Sequence, residues 1–379
     1  MDRRHFIAAS GLAGLGLMSG LSSCAPAPSG TIPYASRGGM RRLPKLRVSS
    51  DRIIKETVGL RPYRLSGPRV ETEMLGNKTI VHHYGHGGSG WSLSWGTAHH
   101  AADLVQLTGE KKIAVMGCGV IGLTTARTLQ SRGYDVTIYT KDLPPDITSS
   151  KATGTWSPTY RLCETERITP EFSAFWEKAA TYSFRAHQNM LGRGGVTNWV
   201  EHYTIHDPAA AQRHDGHVST LHLPHELPEP TVLKRRENPF RAEYVSRQTV
   251  LVFQIPAYLD RLMNDFVDYG GTLRIKSFDR LEEVDALPEA CVVNCTGIGA
   301  KALFNDAELM PIAGQLSFLV PQPEVNYRLS TPNGYFIPRN DGIILGGNAI
   351  VDSWDTTPSL EQTQKVVAAL QEAIDLMRG

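Results

Sequence analysis

Val115-Met116-Gly117-Cys118-Gly119-Val120-Ile121-Gly122 decides how this chain is read. It is a GxGxxG that follows the strand-like Lys112-Ile113-Ala114-Val115 and opens into the helix-like residues 123–129. A strand before and a helix after supply the context that a lone GxGxxG lacks. The glycines let the backbone turn tightly and approach a pyrophosphate, whose charge then sits at a helix N-terminus. The motif therefore predicts a dinucleotide site built on Gly117, Cys118, Gly119, Val120, Ile121 and Gly122. A glycine-rich turn without a ligand is the weaker reading.

A second glycine-rich segment lies upstream, Tyr84-Gly85-His86-Gly87-Gly88-Ser89-Gly90-Trp91. β-branched residues in 78–84 predict a strand running straight into it. Residues 92–107 have helical periodicity, and Thr108-Gly109-Glu110 links them to the strand at 112–116. Downstream, Arg132-Gly133 breaks the helix and residues 135–139 form a second strand, a βαβ start. Helices are expected at 172–190, 255–269 and 362–377. Strands are expected at 290–295, 314–320, 335–338 and 343–347, the last two joined by the hairpin turn Arg339-Asn340-Asp341-Gly342. Residues 202–237 read as a surface loop region. Its His206, His214, His217, His222 and His225 match no compact metal spacing, so no metal site is indicated.

The 379 residues suffice for two ordinary domains, and 41% hydrophobic with 20% charged residues is a globular composition. A net charge of +1 leaves no electrostatic footprint for nucleic acid. No internal stretch is apolar enough to cross a bilayer. The N-terminus differs. Arg3-Arg4-His5-Phe6-Ile7, a Gly/Ala-rich run to residue 21 and Leu21-Ser22-Ser23-Cys24 together resemble a twin-arginine export signal ending in a lipoprotein box. Residues 1–30 are thus expected to engage the export machinery, with a lipid anchor at Cys24 and a periplasmic or cell-envelope destination. Residues 31–50, rich in Pro, Ser and Gly, read as a tether. Cys118, Cys163, Cys291 and Cys295 are expected to be buried free thiols.

Several segments together resemble the FAD-dependent D-amino acid oxidase family. They are 115–122, 142–150, Gly154-Thr155-Trp156-Ser157-Pro158, 292–297, Gly314-Gln315, Tyr335-Phe336-Ile337-Pro338, Gly59-Leu60-Arg61-Pro62 and 84–96. Nearly all of the chain beyond residue 50 is covered. The order differs: in the family the GxGxxG opens the chain, and segments like 59–62 and 84–96 close it. The resemblance therefore implies a circular permutation, with Thr108-Gly109-Glu110 as the new link.

The fold implied is α/β: a doubly wound, Rossmann-like FAD-binding domain interleaved with an α+β substrate domain on a mixed sheet. Residues 51–379 would form one such unit. The flavin domain would be mainly 76–185 and 246–305, the substrate domain mainly 51–75, 186–245 and 306–361. By resemblance Gly117, Gly119 and Gly122 face the FAD pyrophosphate, and Lys141 and Asp142 lie near the adenosine ribose. Thr148, Ser149 and Gly154 match positions near the phosphates and flavin ring, while Phe278 and Thr296 match backbone contacts to FAD. Gly87, Gly88, Ser89, Gly90, Trp91 and Ser92 match the loop along the isoalloxazine edge. Thr140-Lys141-Asp142 departs from the family's acidic residue at that strand end.

For the substrate, Arg61 corresponds to the arginine that pairs bidentately with the amino acid carboxylate, a task for a planar fork. Tyr335 corresponds to the tyrosine that hydrogen-bonds the same carboxylate, and Gly88 would offer its carbonyl to the amine. The family often has a mobile tyrosine where this chain has Thr331 and an amide where it has Ser157, and the segment from Gln315 to Tyr335 looks shorter. The implied activity is oxidation of a D-amino acid to a 2-oxo acid, ammonia and hydrogen peroxide, with oxygen as acceptor and the α-hydrogen leaving as hydride to flavin N5. A D-aspartate oxidase, a glycine or secondary-amine oxidase, and a non-catalytic flavin-binding lipoprotein are the alternatives.

Overall fold

Ile113 and Val115 point to one face of a strand, Ala114 and Met116 to the other, and all four are fully buried. A strand covered on both faces belongs inside a parallel sheet. In the computed structural model, which describes residues 42–192, 195–207, 217, 218, 220–223 and 226–378, this strand is β4 (Lys112–Met116). It lies between β10 (Cys291–Asn294) and β5 (Asp135–Thr140), parallel to both. β3 (Lys78–Tyr84) continues the parallel sheet beyond β10, and β9 (Thr272–Ile275) continues it beyond β5. β2 (Arg69–Leu75) closes one edge antiparallel to β3. Strand order changes direction at β4, so a crevice opens at the carboxyl ends of β4 and β10.

Three helices cover one face of this sheet: α1 (Gly90–Leu107), α2 (Val120–Ser131) and α4 (Ile255–Asp268). Leu123, Ala126 and Leu129, at helical spacing, join Val105, Leu262 and Phe266 in that core. The short α5 (Leu281–Asp285) and α6 (Ala300–Leu303) cover the other face through Val284 and Leu303. α3 (Pro170–Gln188), N-capped by Thr169, packs on α1. Contact there is backbone to backbone: a Cβ on Gly96 would fall on Ala179, and the Gly96 N–H donates to Ser183 Oγ at 2.7 Å.

The larger sheet begins with β1 (Ile53–Arg64), paired antiparallel along its whole length with β11 (Leu309–Leu319). Next come β14 (Gly342–Gly346), β13 (Gly334–Arg339), β12 (Tyr327–Thr331), β6 (Thr197–Ile205), β8 (Val245–Phe253) and the short β7 (Thr231–Val232). β15 (Ile350–Val351) adds to β11, and β12 runs parallel to β6, which makes the sheet mixed. α7 (Leu360–Asp375) lies on one face, its Val366, Leu370 and Ile374 packed against Leu329, Phe336 and Leu345. On the other face Leu316, Phe318, Ile337 and Ile344 form a separate apolar cluster.

Four sequence expectations need correction. The loop expected from residue 202 starts later, because residues 197–205 are β6, held in nine-residue register with β8. β8 belongs to the larger sheet for the same reason, although the 246 boundary assigns it to the flavin domain. β2, assigned to the substrate domain by the 76 boundary, is hydrogen-bonded into the smaller sheet. The tether does not extend to residue 50, since Leu43, Leu46 and Val48 are buried beside α7 and Tyr327. The export signal with Arg3, Arg4 and Cys24 lies outside the described residues, as do His214 and His225. Cys118, Cys163, Cys291 and Cys295 are buried free thiols, and the described residues hold no cluster suited to a metal. No described helix is long and apolar enough to cross a membrane.

Gly96→Ala should lower stability by about 1–3 kcal/mol, the usual effect of overpacking a close contact. Urea unfolding monitored by circular dichroism reads this directly, and an unchanged midpoint would contradict the close seating of α1 on α3.

Candidate active site

Gly117 carries the turn out of β4 at φ +104, and a Cβ there would lie 2.5 Å from the Cys295 carbonyl at the end of β10. On Gly122 a Cβ would overlap the Gly117 carbonyl, so the first turn of α2 sits directly on the strand end. The helix starts at Val120, its N-cap Gly119 provides no side-chain hydrogen bond, and its first turn has no acidic residue. Backbone N–H groups at such an end lack intrahelical partners and favour an anion. Ser149 approaches from another segment, its Oγ accepting from Val120 N at 2.9 Å. Thr296 follows Cys295 at the same place, its N and Oγ1 both donating to Asn294 Oδ1.

The second glycine-rich segment turns from β3 into α1 beside this crevice. Its serines and tryptophan fasten residues 148–160 in place. Trp91 Nε1 donates to the Ser149 carbonyl at 3.0 Å, Ser157 N donates to Ser92 Oγ at 2.7 Å, and Ser89 Oγ donates to the Ser157 and Tyr160 carbonyls. Gly87 N donates to the Pro62 carbonyl at 2.8 Å, and a Cβ on Gly88 would overlap the Tyr160 ring. Gly90 starts α1. Along the fastened segment, Ser150 Oγ, Thr155 Oγ1 and Trp156 Nε1 are buried without hydrogen-bond partners. Gly154, at φ +91, brings its backbone against the Phe253 carbonyl. Buried donors without partners, next to the glycine-capped N-terminus of α2, fit a large polar ligand such as a dinucleotide.

Not every expected contact gathers here. Lys141 and Asp142 are exposed at the end of β5, 3.9 Å apart, with Thr140 Oγ1 donating to the Asp142 carbonyl. Thr148 is exposed at the start of a single 3-10 turn. Phe278 lies in the α5/α6 layer with its ring 6.1 Å from that of Tyr139.

The expected substrate residues Arg61 and Tyr335 lie on the larger sheet. Arg61 projects from β1 and lies across β11, where a Cβ on Gly314 would overlap its guanidinium. Tyr335 projects from β13 and lies across β14 in the same manner, over Gly346. The two glycines are flat places on which both side chains rest. Tyr335 Oη is 3.1 Å from Thr153 Oγ1, and Arg61 stands 5.9 Å from the Tyr160 ring centroid. Burial raises the Tyr335 phenol above its ordinary pKa, while Thr153 and Arg61 pull it back. The phenol is therefore a protonated donor at neutral pH. Arg61 has no hydrogen bond or ion pair among the described residues, and its Nη1 is buried without a partner.

Tyr160, Thr153 and Arg328 are site residues that the sequence reading missed. Arg328 stands 5.7 Å from the Tyr335 ring centroid. Proximity of Tyr160 to the glycine-rich turn is a tertiary fact with no local signal. Thr331 sits in the β12–β13 turn, its Oγ1 donating to the Gly334 carbonyl at 3.0 Å and accepting from Asn333 N.

Residues 112–377 match the family described as FAD dependent oxidoreductase, DAO. D-amino-acid oxidase of Streptomyces coelicolor is 30% identical over 277 residues, covering 69% of this chain and 78% of that protein. D-aspartate oxidase of Homo sapiens is 25% identical over 264 residues, covering 68% and 74%. Among solved structures, iminodiacetate oxidase from Chelativorans sp. BNC1 superposes with a TM-score of 0.52 at 16% identity, over 69% of this chain and 79% of that one. Glycine oxidase from Bacillus cereus superposes with a TM-score of 0.50 at 17% identity, over 71% and 81%. These two share the fold. The crevice with its glycine-capped helix end and the matched stretch of sequence agree: the chain belongs to the FAD-dependent oxidoreductase (DAO) family, and its cofactor is FAD.

Proposed function

We propose that this protein oxidises D-amino acids, with Arg61 and Tyr335 clamping the α-carboxylate. One observation carries the reading: a guanidinium without a counter-ion among the described residues and a protonated phenol lie near Gly88 and Tyr160. A buried charge left unpaired is expensive, and an incoming carboxylate supplies the missing partner. Arg61 would receive it as a fork and Tyr335 would add a second donor. Gly88, packed directly against the Tyr160 ring, would offer its carbonyl to the amine. Fixing the carboxylate and the amine leaves one orientation for the α-hydrogen, and orientation of this kind accounts for much of a rate. Bound FAD supplies the two-electron acceptor. With one water and one oxygen molecule consumed, each D-amino acid yields a 2-oxo acid, ammonium and hydrogen peroxide. The D-amino-acid oxidase name of the Streptomyces relative supports the same substrate class.

We also infer that the family's segment order is permuted here. The family match begins at Lys112. Yet the preceding residues supply β1 with Arg61, the central strand β3 and the glycine-rich turn. The needed junction is short, because Tyr327 Oη donates to the Pro44 carbonyl at 2.9 Å and lies 3.7 Å from Met377 Sδ. A chain rebuilt with residues 43–107 placed after residue 378 through a short Gly/Ser linker should therefore bind FAD stoichiometrically. Two linker lengths that both give soluble protein without flavin would refute the permutation.

A peroxide assay across paired D- and L-amino acids tests the activity, and turnover confined to L-isomers would overturn it. Arg61→Leu should lower kcat/KM for every D-amino acid by roughly two to four decades, the loss of ~3–5 kcal/mol from breaking a buried pair. Arg61→Lys should recover only part of it. Because Arg61 has no protein partner to abandon, the leucine variant should melt no earlier than the parent. Near-normal turnover in Arg61→Leu would make this arginine structural.

A further inference from the structure

Arg42, Lys45 and Arg47 are exposed, while Leu43, Leu46 and Val48 in the same short arm are buried. The apolar side chains join the α7 core, so the basic ones project outward from a fixed support. Two buried side chains hold the arm's backbone. Tyr327 Oη donates to the Pro44 carbonyl at 2.9 Å. Gln322 accepts from Arg47 N at 2.9 Å and donates to the Arg47 carbonyl at 3.0 Å. The loop after β7 carries Lys234, Arg235 and Arg236, all exposed. Asn238, only 2% exposed, shapes this loop from within: its Oδ1 accepts from Phe240 N and its Nδ2 donates to the Ala242 carbonyl. Met377 joins loop and arm, bridged to Phe240 on one side and 3.7 Å from Tyr327 Oη on the other. Arg241 N donates to the Leu376 carbonyl and Arg378 N to the Pro239 carbonyl, which fixes the end of α7 to the same loop.

Residues 42–48, 234–241 and 376–378 thus bring eight basic residues and one acid, Glu237, to one edge of the molecule. The whole chain has 39 basic and 38 acidic residues, so this is segregation of charge and not composition. Among the described residues only two of the eight have an acid within 4 Å, Arg47 with Glu324 and Arg236 with Glu237. Glu243 and Asp375, close by in the chain, pair with none of them. Val232, Tyr244 and Leu376 are exposed along this edge.

We propose that this edge rests on the surface of an anionic phospholipid bilayer. Each Lys or Arg near such a surface is attracted to it, and exposed aliphatic and tyrosine side chains enter the headgroup layer. Residues 1–41 join the described chain at Arg42, on this same edge. An acyl group at Cys24, expected from the sequence, would leave seventeen residues before Arg42, at most about 60 Å of extended chain. Tyr335 packs on the opposite face of the larger sheet from α7, so the bilayer lies on the far side of that sheet from the clamp.

The test uses the full FAD-loaded chain with Cys24→Ser, which removes the acylation site, and sedimentation with vesicles at low salt. Vesicles of phosphatidylglycerol and phosphatidylcholine in equal parts should bind it about a hundredfold more tightly than phosphatidylcholine alone. Lys234→Gln with Arg235→Gln and Arg236→Gln should weaken that binding by about a hundredfold, and Arg42→Gln with Lys45→Gln by about tenfold or more. Lys111→Gln with Lys112→Gln and Lys178→Gln makes the same change of charge outside this edge and should leave binding as in the parent. FAD content and melting temperature identify folded variants, and the loop and arm variants are decisive independently of each other. A parent without preference for the anionic vesicles overturns the proposal, as does full binding in a folded edge variant or equal loss in the Lys111 set. Tighter binding to duplex DNA than to vesicles of equal charge would make a nucleic acid the partner and overturns it too.

Discussion

Absent side chains at Gly314 and Gly346 let Arg61 and Tyr335 lie flat across neighbouring strands, and this face of the larger sheet is built on that accommodation. A methyl group at either position would lift its partner off the sheet. The glycine at 314 is opposite Gly59, two residues before Arg61 on β1, so the arginine crosses a strip with little side-chain relief. Around this strip the sheet is apolar, with Leu316, Phe318 and Ile344 next to it. One nitrogen of that guanidinium, Nη1, is sealed from solvent without a hydrogen-bond partner, and no anion among the described residues pairs with it. An unpaired buried donor of this kind is costly in the free protein, and the proposed carboxylate would satisfy it.

The same economy of space joins the two sheets. Gly117 and Gly122 bring α2 onto the ends of β4 and β10, while Gly87 and Gly88 bring the upstream turn against residues 160 and 161. Residues 148–160 run between these places as a strap. One end of the strap is hydrogen-bonded to Trp91 and α2, and its middle receives Arg339 from the larger sheet through the Ala152 and Thr153 carbonyls. Thr153 then meets Tyr335. A single segment thus runs from the dinucleotide crevice to Tyr335.

Much of this was legible in the sequence because it depends on local rules. The GxGxxG, the strand before it and the helix after it are set by glycine sterics and apolar periodicity within about twenty residues, and β4, α2 and β5 follow. Arg61 was singled out by the resemblance of Gly59-Leu60-Arg61-Pro62 to a family segment, and the structure puts it on β1 across from β11. What escaped is non-local. β8 looks like any apolar run until β6 pairs with it, so its assignment to one sheet or the other depends on a partner nearly fifty residues earlier. Leu43, Leu46 and Val48 look like tether residues because proline and basic neighbours dilute them, yet each is buried against α7. Arg328 carries no signal of its own; only the pairing of Ser330 with Tyr335 shows which face it shares.

Anaerobic addition of substrate to the purified yellow protein tests the central claim most directly, because it needs neither oxygen nor a coupled assay. Flavin absorbance at long wavelength should bleach on adding D-amino acids and persist with the matching L-isomers and with amines that lack a carboxylate. Bleaching by such an amine as readily as by a D-amino acid would contradict the carboxylate clamp of Arg61 and Tyr335.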